Sequence, residues 1–357
     1  MLVNKMAKKY DIVYRDLLER INRDELTAGS KLPSENELVD IYEVSRQTIR
    51  QALKLLEEDG CVSKVRGSGT FVQKTISKID SNCVAVITYD IVASVFPAVL
   101  SKIEQTLFNS GYSTMLFSTM GSISRERQIL QQLCANPVSG IILYATESSF
   151  DSLNIDLILK LQGMGTRFIF MDNRYPDEAL RQIPCVSMDD YQGAYQVTAE
   201  LISGGVKSIG GIFTCMAYQL LHRFLGVRKA MTELGMVYDR QNFLMCDDNS
   251  EESVRQHIEV QLPSLLEKEA VICASGVYAV FLSDCIRRHG SGNIKTVVSF
   301  DDVDLPPMEG IRVVKLKHAG EKIGVSCAQK IVNLIQGIPE CDECFPWETN
   351  EGKQYPA

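Results

Sequence analysis

The chain has 357 residues, 45% hydrophobic and 23% charged, with 37 Lys and Arg against 45 Asp and Glu for a formal net charge of −8. Such proportions belong to a folded globular protein of about two or three domains and exclude a disordered or fibrous chain, and no apolar run approaches the ~18 residues that a membrane-spanning helix needs. The 11 cysteines are scattered from Cys61 to Cys344 as free thiols of a reducing cytosol would be, and the Met1–Tyr10 stretch lacks the apolar segment of a secretion signal, so a cytoplasmic protein is expected.

The charge is unevenly placed. Residues 1–74 hold 13 Lys and Arg against 12 Asp and Glu, so the whole acidic excess lies in the remainder. The first predicted element is a helix over Tyr10–Ile21, with Ile12, Val13, Leu17, Leu18 and Ile21 on one face. Ala28-Gly29-Ser30-Lys31-Leu32-Pro33 breaks it. Ser34, with Glu37 three residues on, forms a capping box that opens a second helix, whose apolar face is Leu38 and Ile41. Val44-Ser45 opens a third, from Arg46 to about Glu58, with Ile49, Leu53 and Leu56 inward and Arg46, Gln47 and Arg50 outward. Asp59-Gly60 ends it. Two β-prone runs, Cys61–Val65 and Thr70–Gln73, flank the basic, glycine-rich tip Arg66-Gly67-Ser68-Gly69 and predict a hairpin.

Residues 73–82 are polar and read as a linker. From Cys83 the period changes. Strands at Val84–Thr88, Ser113–Phe117, Gly140–Tyr144, Arg167–Met171, Ser208–Phe213, Phe243–Cys246, Val271–Ala274, Thr296–Phe300 and Ile311–Lys315 alternate with amphipathic helices. Such alternation implies an α/β fold of parallel sheet, covered by helices on both faces and built as one sheet or two halves. The stretch after Gln336, rich in charge, Pro and Cys, is expected to be poorly ordered or a short cover strand. The expected organisation is thus a head over 1–74, a linker over 75–82, an α/β region over 83–340 and a tail over 341–357.

A helix that enters the DNA major groove needs donors on its first turns, where base edges and phosphates lie closest. Arg46 and Arg50, four residues apart, share one face, with Ser45, Gln47 and Thr48 beside them. Arginine can take guanine bidentately and glutamine can take adenine, while Lys64 and Arg66 give the hairpin a basic wing. Leu32-Pro33-Ser34-Glu35-Asn36-Glu37-Leu38, Val44–Leu53, Glu58-Asp59-Gly60 and Gly67-Ser68-Gly69-Thr70-Phe71-Val72 resemble the signature of GntR-family winged helix-turn-helix regulators over about residues 9–73. The resemblance implies that Lys9, Glu35, Asn36, the Arg46–Arg50 turn and Arg66-Gly67 hold operator DNA.

The second region resembles LacI/GalR-type sensors, which are like periplasmic sugar-binding proteins. The resemblance is carried by Ser139–Leu143, Phe168–Arg174, Val186–Ala194, Arg223–Ala230, Val297–Asp302 and Lys317, and covers about residues 83–337. It implies two α/β subdomains with a cleft between them. In such a cleft carboxylates and arginine meet hydroxyls at the ends of strands, and aromatic faces cover the sugar ring. Candidates are Asp90, Asp172, Arg223 and Asp301 for the polar contacts, Tyr89, Phe96 and Tyr144 for stacking, and Lys317 at the cleft edge. One departure stands out. After the strand at Val271–Ala274 the family has an Asn/Asp-Asp pair, and this chain has Ser275-Gly276-Val277. Cys341-Asp342-Glu343-Cys344 has no second half of a zinc site, the four histidines show no metal spacing, and no cofactor or catalytic set is expected.

A GntR-type head on a LacI-type sensor is similar to the arabinose repressors of Gram-positive bacteria. The combination implies a homodimeric repressor of carbohydrate genes, released from a palindromic operator by a small sugar such as L-arabinose. The alternatives are the same architecture answering to another sugar or a nucleoside, or a sugar-modifying enzyme with a fused DNA-binding head.

Overall fold

A computed structural model describes residues 9–22, 25–27, 29–58, 61–65, 68–72, 81–92, 95–246, 251–350 and 355. It divides into two compact units, Met1–Ser81 with Leu159–Thr166, and Asn82–Ile158 with Arg167–Ala357. Residues 73–80 of the expected linker, the Asp59-Gly60 helix stop and the Arg66-Gly67 wing tip lie outside the described residues.

In the first unit, helices α1 (Lys9–Asn22), α2 (Glu35–Tyr42) and α3 (Arg46–Glu58) precede a hairpin of β1 (Val62–Val65) and β2 (Gly69–Val72). The capping box forms as the sequence requires: Ser34 Oγ accepts from the Glu37 amide at 3.3 Å, and the Glu37 carboxylate accepts from the Ser34 amide at 2.7 Å. Val13, Leu17 and Ile21 of α1 meet Leu38 of α2, Ile49, Leu53 and Leu56 of α3, and Val62 and Val72 of the hairpin in one apolar cluster. Two expected core residues are outside it: Ile12 is 56% and Ile41 54% exposed. The buried stripe of α1 runs through 13, 17 and 21, which turns Ile12 about 100° away. In α2 the inward edge is Leu38 with Val39 and Tyr42, and Ile41 falls on the other flank of Leu38, turned away from both. The break before α2 also has a use in the fold. The amide of Leu32 donates to the Thr70 carbonyl and that of Val72 to the Ser30 carbonyl, each at 2.9 Å, which bridges Lys31 to Phe71 at the edge of the wing.

Because this unit has its own core, residues 1–80 alone are expected to fold. Cooperative loss of helical circular dichroism with urea checks this, and a gradual, non-cooperative loss would refute it.

The second unit contains two six-stranded sheets. In chain order come β3 (Cys83–Thr88), α4 (Phe96–Asn109), β4 (Ser113–Ser118), α5 (Ile123–Ala135), β5 (Gly140–Leu143), α6 (Ile155–Gly163, of which residues 159–163 fall in the first unit), β6 (Arg167–Met171) and β7 (Cys185–Met188). The pattern repeats with α7 (Asp190–Ser203), β8 (Ile209–Thr214), α8 (Tyr218–Glu233), β9 (Phe243–Cys246), α9 (Glu251–Leu266), β10 (Ala270–Cys273), α10 (Gly276–His289), β11 (Thr296–Phe300) and β12 (Arg312–Lys317). Then follow α11 (Gly320–Ile335), β13 (Glu343–Phe345) and β14 (Glu348–Thr349). The sheets run β13-β7-β6-β5-β3-β4 and β14-β12-β11-β10-β8-β9, so each lobe repeats the same doubly wound order with parallel central strands. Strands β8, β10 and β11 are buried throughout, as strands covered on both faces must be.

Three crossings join the lobes. The chain leaves the first sheet at Met188 for α7 in the second lobe. It returns after Lys317 into α11, which packs on α4, β5 and β6. The segment after 340 makes the third crossing: β13 pairs parallel with β7, and β14 pairs antiparallel with β12. Trp347, between them, is fully buried. A Cβ on Gly193 would stand 2.5 Å from the Trp347 ring, so only glycine lets α7 approach so closely.

Candidate functional site

The exposed face of α3 is tied together by one acid. Glu35, at the start of α2, accepts from Arg46 Nε and Arg50 Nε at 2.9 Å and from Lys64 Nζ at 3.1 Å. Helix α3 and the hairpin thus gather their cations around a single carboxylate of α2. Burial works against that carboxylate, but hydrogen bonds from Arg46, Arg50 and Lys64 outweigh it and bring its pKa down from 4.5 to about 2. Lys9, Asn36, Ser45 and Gln47 are exposed. The Ser45 hydroxyl accepts from the Thr48 amide at 3.2 Å and lies 2.8 Å from the Thr48 hydroxyl, which occupies both side chains in starting α3. Arg66 and Gly67 lie outside the described residues.

Since Glu35 ionises far more readily folded than unfolded, its stabilising contribution is present above the unfolded pKa near 4.5 and is lost as pH falls toward 2. Urea midpoints of the 1–80 fragment at pH 5 and pH 3 should fall steeply for the natural sequence and less for Glu35→Gln. Equal falls in the two proteins would show that Glu35 is not held by its three partners.

In the second unit, the carboxyl ends of β3 and β5 face those of β8 and β10 across a cavity of about 920 Å³. These are the points where strand order reverses, which open α/β sheets use for ligands. Of the predicted residues, Tyr89, Phe96, Tyr144, Asp172, Arg223, Ser275 and Asp301 line the cavity. Asp172 and Asp301 are equivalent residues of the two lobes, each directly after the fourth strand of its sheet, and both adopt left-handed backbone with φ of 62° and 74°. That strained geometry is tolerated by Asp better than by most residues and turns both carboxylates into the floor, where they are buried.

Arg223 is the centre of the floor. Its Nε donates to Asp190 Oδ1 at 2.7 Å and its Nη1 to the Ala274 carbonyl at 2.5 Å. Its guanidinium carbon stands 4.7 Å from the ring centroids of both Phe300 and Trp347, within cation–π range. Burial pushes the Asp190 carboxyl up to about 6 against the pull of Arg223. His318 Nε2 lies 3.1 Å from Asp172 Oδ1. Burial opposes its imidazolium, but the Asp172 carboxylate, with Asp301, raises its pKa above the ordinary value. Above the floor Phe96 packs edge-on to Tyr144, centroids 5.4 Å apart, and near-parallel to Tyr89 at 6.3 Å. The lobes are hydrogen-bonded along one flank: the Tyr218 amide donates to Ser148 Oγ at 3.0 Å and the Ser149 amide to the Met216 carbonyl at 3.3 Å. Gln219 links Tyr144 and Asn173.

Two predicted residues are elsewhere. Asp90 closes a surface turn, accepting from the Val92 amide at 2.7 Å. Lys317 is exposed at the end of β12, in register with Glu348. Side chains alternate along a strand, so its neighbour His318, set aside on sequence grounds, takes the inward place. Asp190, Gln219 and Trp347 were also missed. Asp190 stood within a quoted motif, whereas Trp347 carried no local signal, since its place depends on β13 and β14 joining different sheets.

This geometry offers a buried set of carboxylates, a guanidinium and an imidazole beneath aromatic rings, and it can accept from and donate to the hydroxyls of a polyol. Residues 9–72 match the bacterial regulatory proteins of the gntR family, and residues 81–343 match the periplasmic binding proteins and sugar binding domain of the LacI family. The chain is 28% identical over 341 residues to the arabinose metabolism transcriptional repressor of Geobacillus stearothermophilus, covering 93% of this chain and 92% of that one. It is 26% identical to the repressor of the same name from Halalkalibacterium halodurans, covering 93% and 90%. Among solved structures, the transcriptional regulator CelR–cellobiose complex superposes with a TM-score of 0.66 at 18% identity, over 88% of this chain and 92% of that one, a likeness of fold. The chain therefore belongs to the family of periplasmic binding proteins and LacI-type sugar-binding domains, carries a gntR-type DNA-binding head, and is a sugar-responsive transcriptional repressor.

Proposed function

We propose that this repressor acts in the cytoplasm as a homodimer on a palindromic operator of arabinose-utilisation genes and is released by L-arabinose. The observation that carries the reading is the Arg223–Asp190 pair set between Asp172 and Asp301 under Tyr89, Phe96 and Tyr144, in a chain similar along nearly its whole length to two arabinose repressors. On DNA, Arg46, Gln47 and Arg50 of α3 contact bases or phosphates, with Lys64 and Arg66 of the wing and Lys9 and Asn36 nearby. Dimerisation through the sensor is supported by the edge strand β4, whose Met115 and Leu116 are exposed, and by Phe108 of α4, 72% exposed. Unpaired apolar edges of this kind favour association. No helix among the described residues is long and apolar enough to cross a membrane.

For induction the sugar must bind the released form much more tightly than the operator-bound form, since equal affinity for both shifts nothing. Pentoses, hexoses and nucleosides are compared by calorimetry, by emission of Trp347, the only tryptophan in the chain, and by release of labelled operator. L-Arabinose is expected to bind most tightly and to release the DNA. Tighter binding of a nucleoside or hexose would overturn the arabinose assignment, and a monomer by sedimentation would overturn the dimer.

A further inference from the structure

The sugar reading accounts for the floor of the cavity and for the Tyr89, Phe96 and Tyr144 rings above it, and leaves the remaining walls without a role. Those walls are of a different chemistry. Asp172, Asp190, Arg223 and Asp301 are each 4–7% exposed and the apolar Val254 and Phe281 1% and 3%, whereas Val277 is 40% and Met120 57% exposed, so apolar side chains reach from the depth of the cavity to its mouth. On the second lobe, Met216, Leu220, Val254, Val277, Val280 and Phe281 line the cavity, with Gln219, Ser275 and Tyr278 carrying the polar groups among them. On the first lobe Glu147 and Thr146 contribute polar groups, set among Val95, Phe96 and Met120.

Size points the same way. A cavity of about 920 Å³ is near the top of the range of about 300–1,000 Å³ that encloses drug-sized ligands, and one free pentose fills a small part of it. The lobes are hydrogen-bonded along one flank, through Tyr218 to Ser148 and Ser149 to Met216. The first turn of α10 supplies the reason for the apolar arm. Where the family places an amide or carboxylate pair for a sugar hydroxyl, Ser275-Gly276-Val277 offers one hydroxyl and an exposed isopropyl group, and the Gly276 amide is turned to Asp301 Oδ2 at 3.4 Å.

We propose that the cleft takes a glycoside rather than only a free monosaccharide, with a neutral sugar ring on the Arg223 floor and an apolar aglycone against the α10 wall at Val277, Val280 and Phe281. The inference rests on the sugar reading for the floor and adds the class of ligand. An aglycone of one aromatic ring moves apolar area out of water on both partners, and its affinity gain is expected to be at least about tenfold.

The test measures calorimetric affinities of the full-length protein for L-arabinose, D-xylose, D-galactose and D-glucose, and for the phenyl glycosides of each in both anomers. An at least tenfold gain for a phenyl arabinoside over arabinose supports the proposal, and Val277→Asp, which sets a carboxylate in the arm, should shrink that ratio. The same gain on another ring while arabinose fails to bind keeps the apolar arm and overturns the arabinose assignment. Binding of a free sugar with a smaller gain, or a loss, for all its phenyl glycosides overturns the proposal and leaves the sugar reading standing. Absence of binding by every sugar and glycoside overturns both.

Discussion

Replacing Arg223 by alanine is expected to cost the sensor about 3–5 kcal/mol of stability and to abolish its response to sugar. Both side chains of the Arg223–Asp190 pair are about 5% exposed, so removal of the guanidinium leaves the Asp190 carboxyl in a buried place with its partner gone. Burial has already pushed that carboxyl up to about 6, and without Arg223 it takes up a proton near neutral pH. The interplay yields a control. Asp190→Asn with Arg223→Met removes both charges and should regain most of the lost stability, because deleting a whole buried pair costs far less than breaking it. It should not regain sugar binding, since the donor fork is gone. Urea unfolding followed through Trp347 reads the first effect and calorimetry the second. Unchanged stability of Arg223→Ala would refute the buried pair. Wild-type affinity in the folded double variant would remove Arg223 from the sugar site.

The second large effect is expected at the reader. Arg46→Ala with Arg50→Ala should lower operator affinity by about 1–3 kcal/mol for each arginine that reads a base, with relaxed specificity at the corresponding positions. In the free protein both guanidinium groups share Glu35 with Lys64. That arrangement holds the arginines on the exposed face of α3 and makes their release from Glu35 part of the binding equilibrium. If one of them meets phosphate instead, its loss weakens all sequences alike and reduces the salt dependence by about one ion. Fluorescence anisotropy against operator and scrambled duplexes at two salt concentrations separates the cases. Unchanged operator affinity in the double variant would exclude α3 as the recognition helix.

The reader was legible in the sequence because its signals are local. A capping box is completed within four residues, the stripe Ile49, Leu53, Leu56 announces the inner face of α3, and the Gly-rich tip announces the wing. The sensor's strand–helix alternation was equally legible, since strands covered on both faces must be apolar throughout. What escaped was whatever depends on a partner distant in the chain. The sequence could not show that Glu35 gathers cations from positions 46, 50 and 64, because nothing in a row of residues states which helix faces which. The resemblance put Lys317 at the cleft edge, but only the register against β11 and β14 decided that His318, and not Lys317, enters the cleft. Asp90 and Asp172 both follow strands; one closes a turn and the other is rotated by a left-handed backbone into the floor, a difference set by φ rather than residue type. Trp347 is the furthest case. Composition and local pattern identified the helices, strands and families of this protein, whereas the charge pairing of the floor and the tryptophan behind it came from three chain crossings, and such crossings are fixed by the packing of two sheets and not by any one segment.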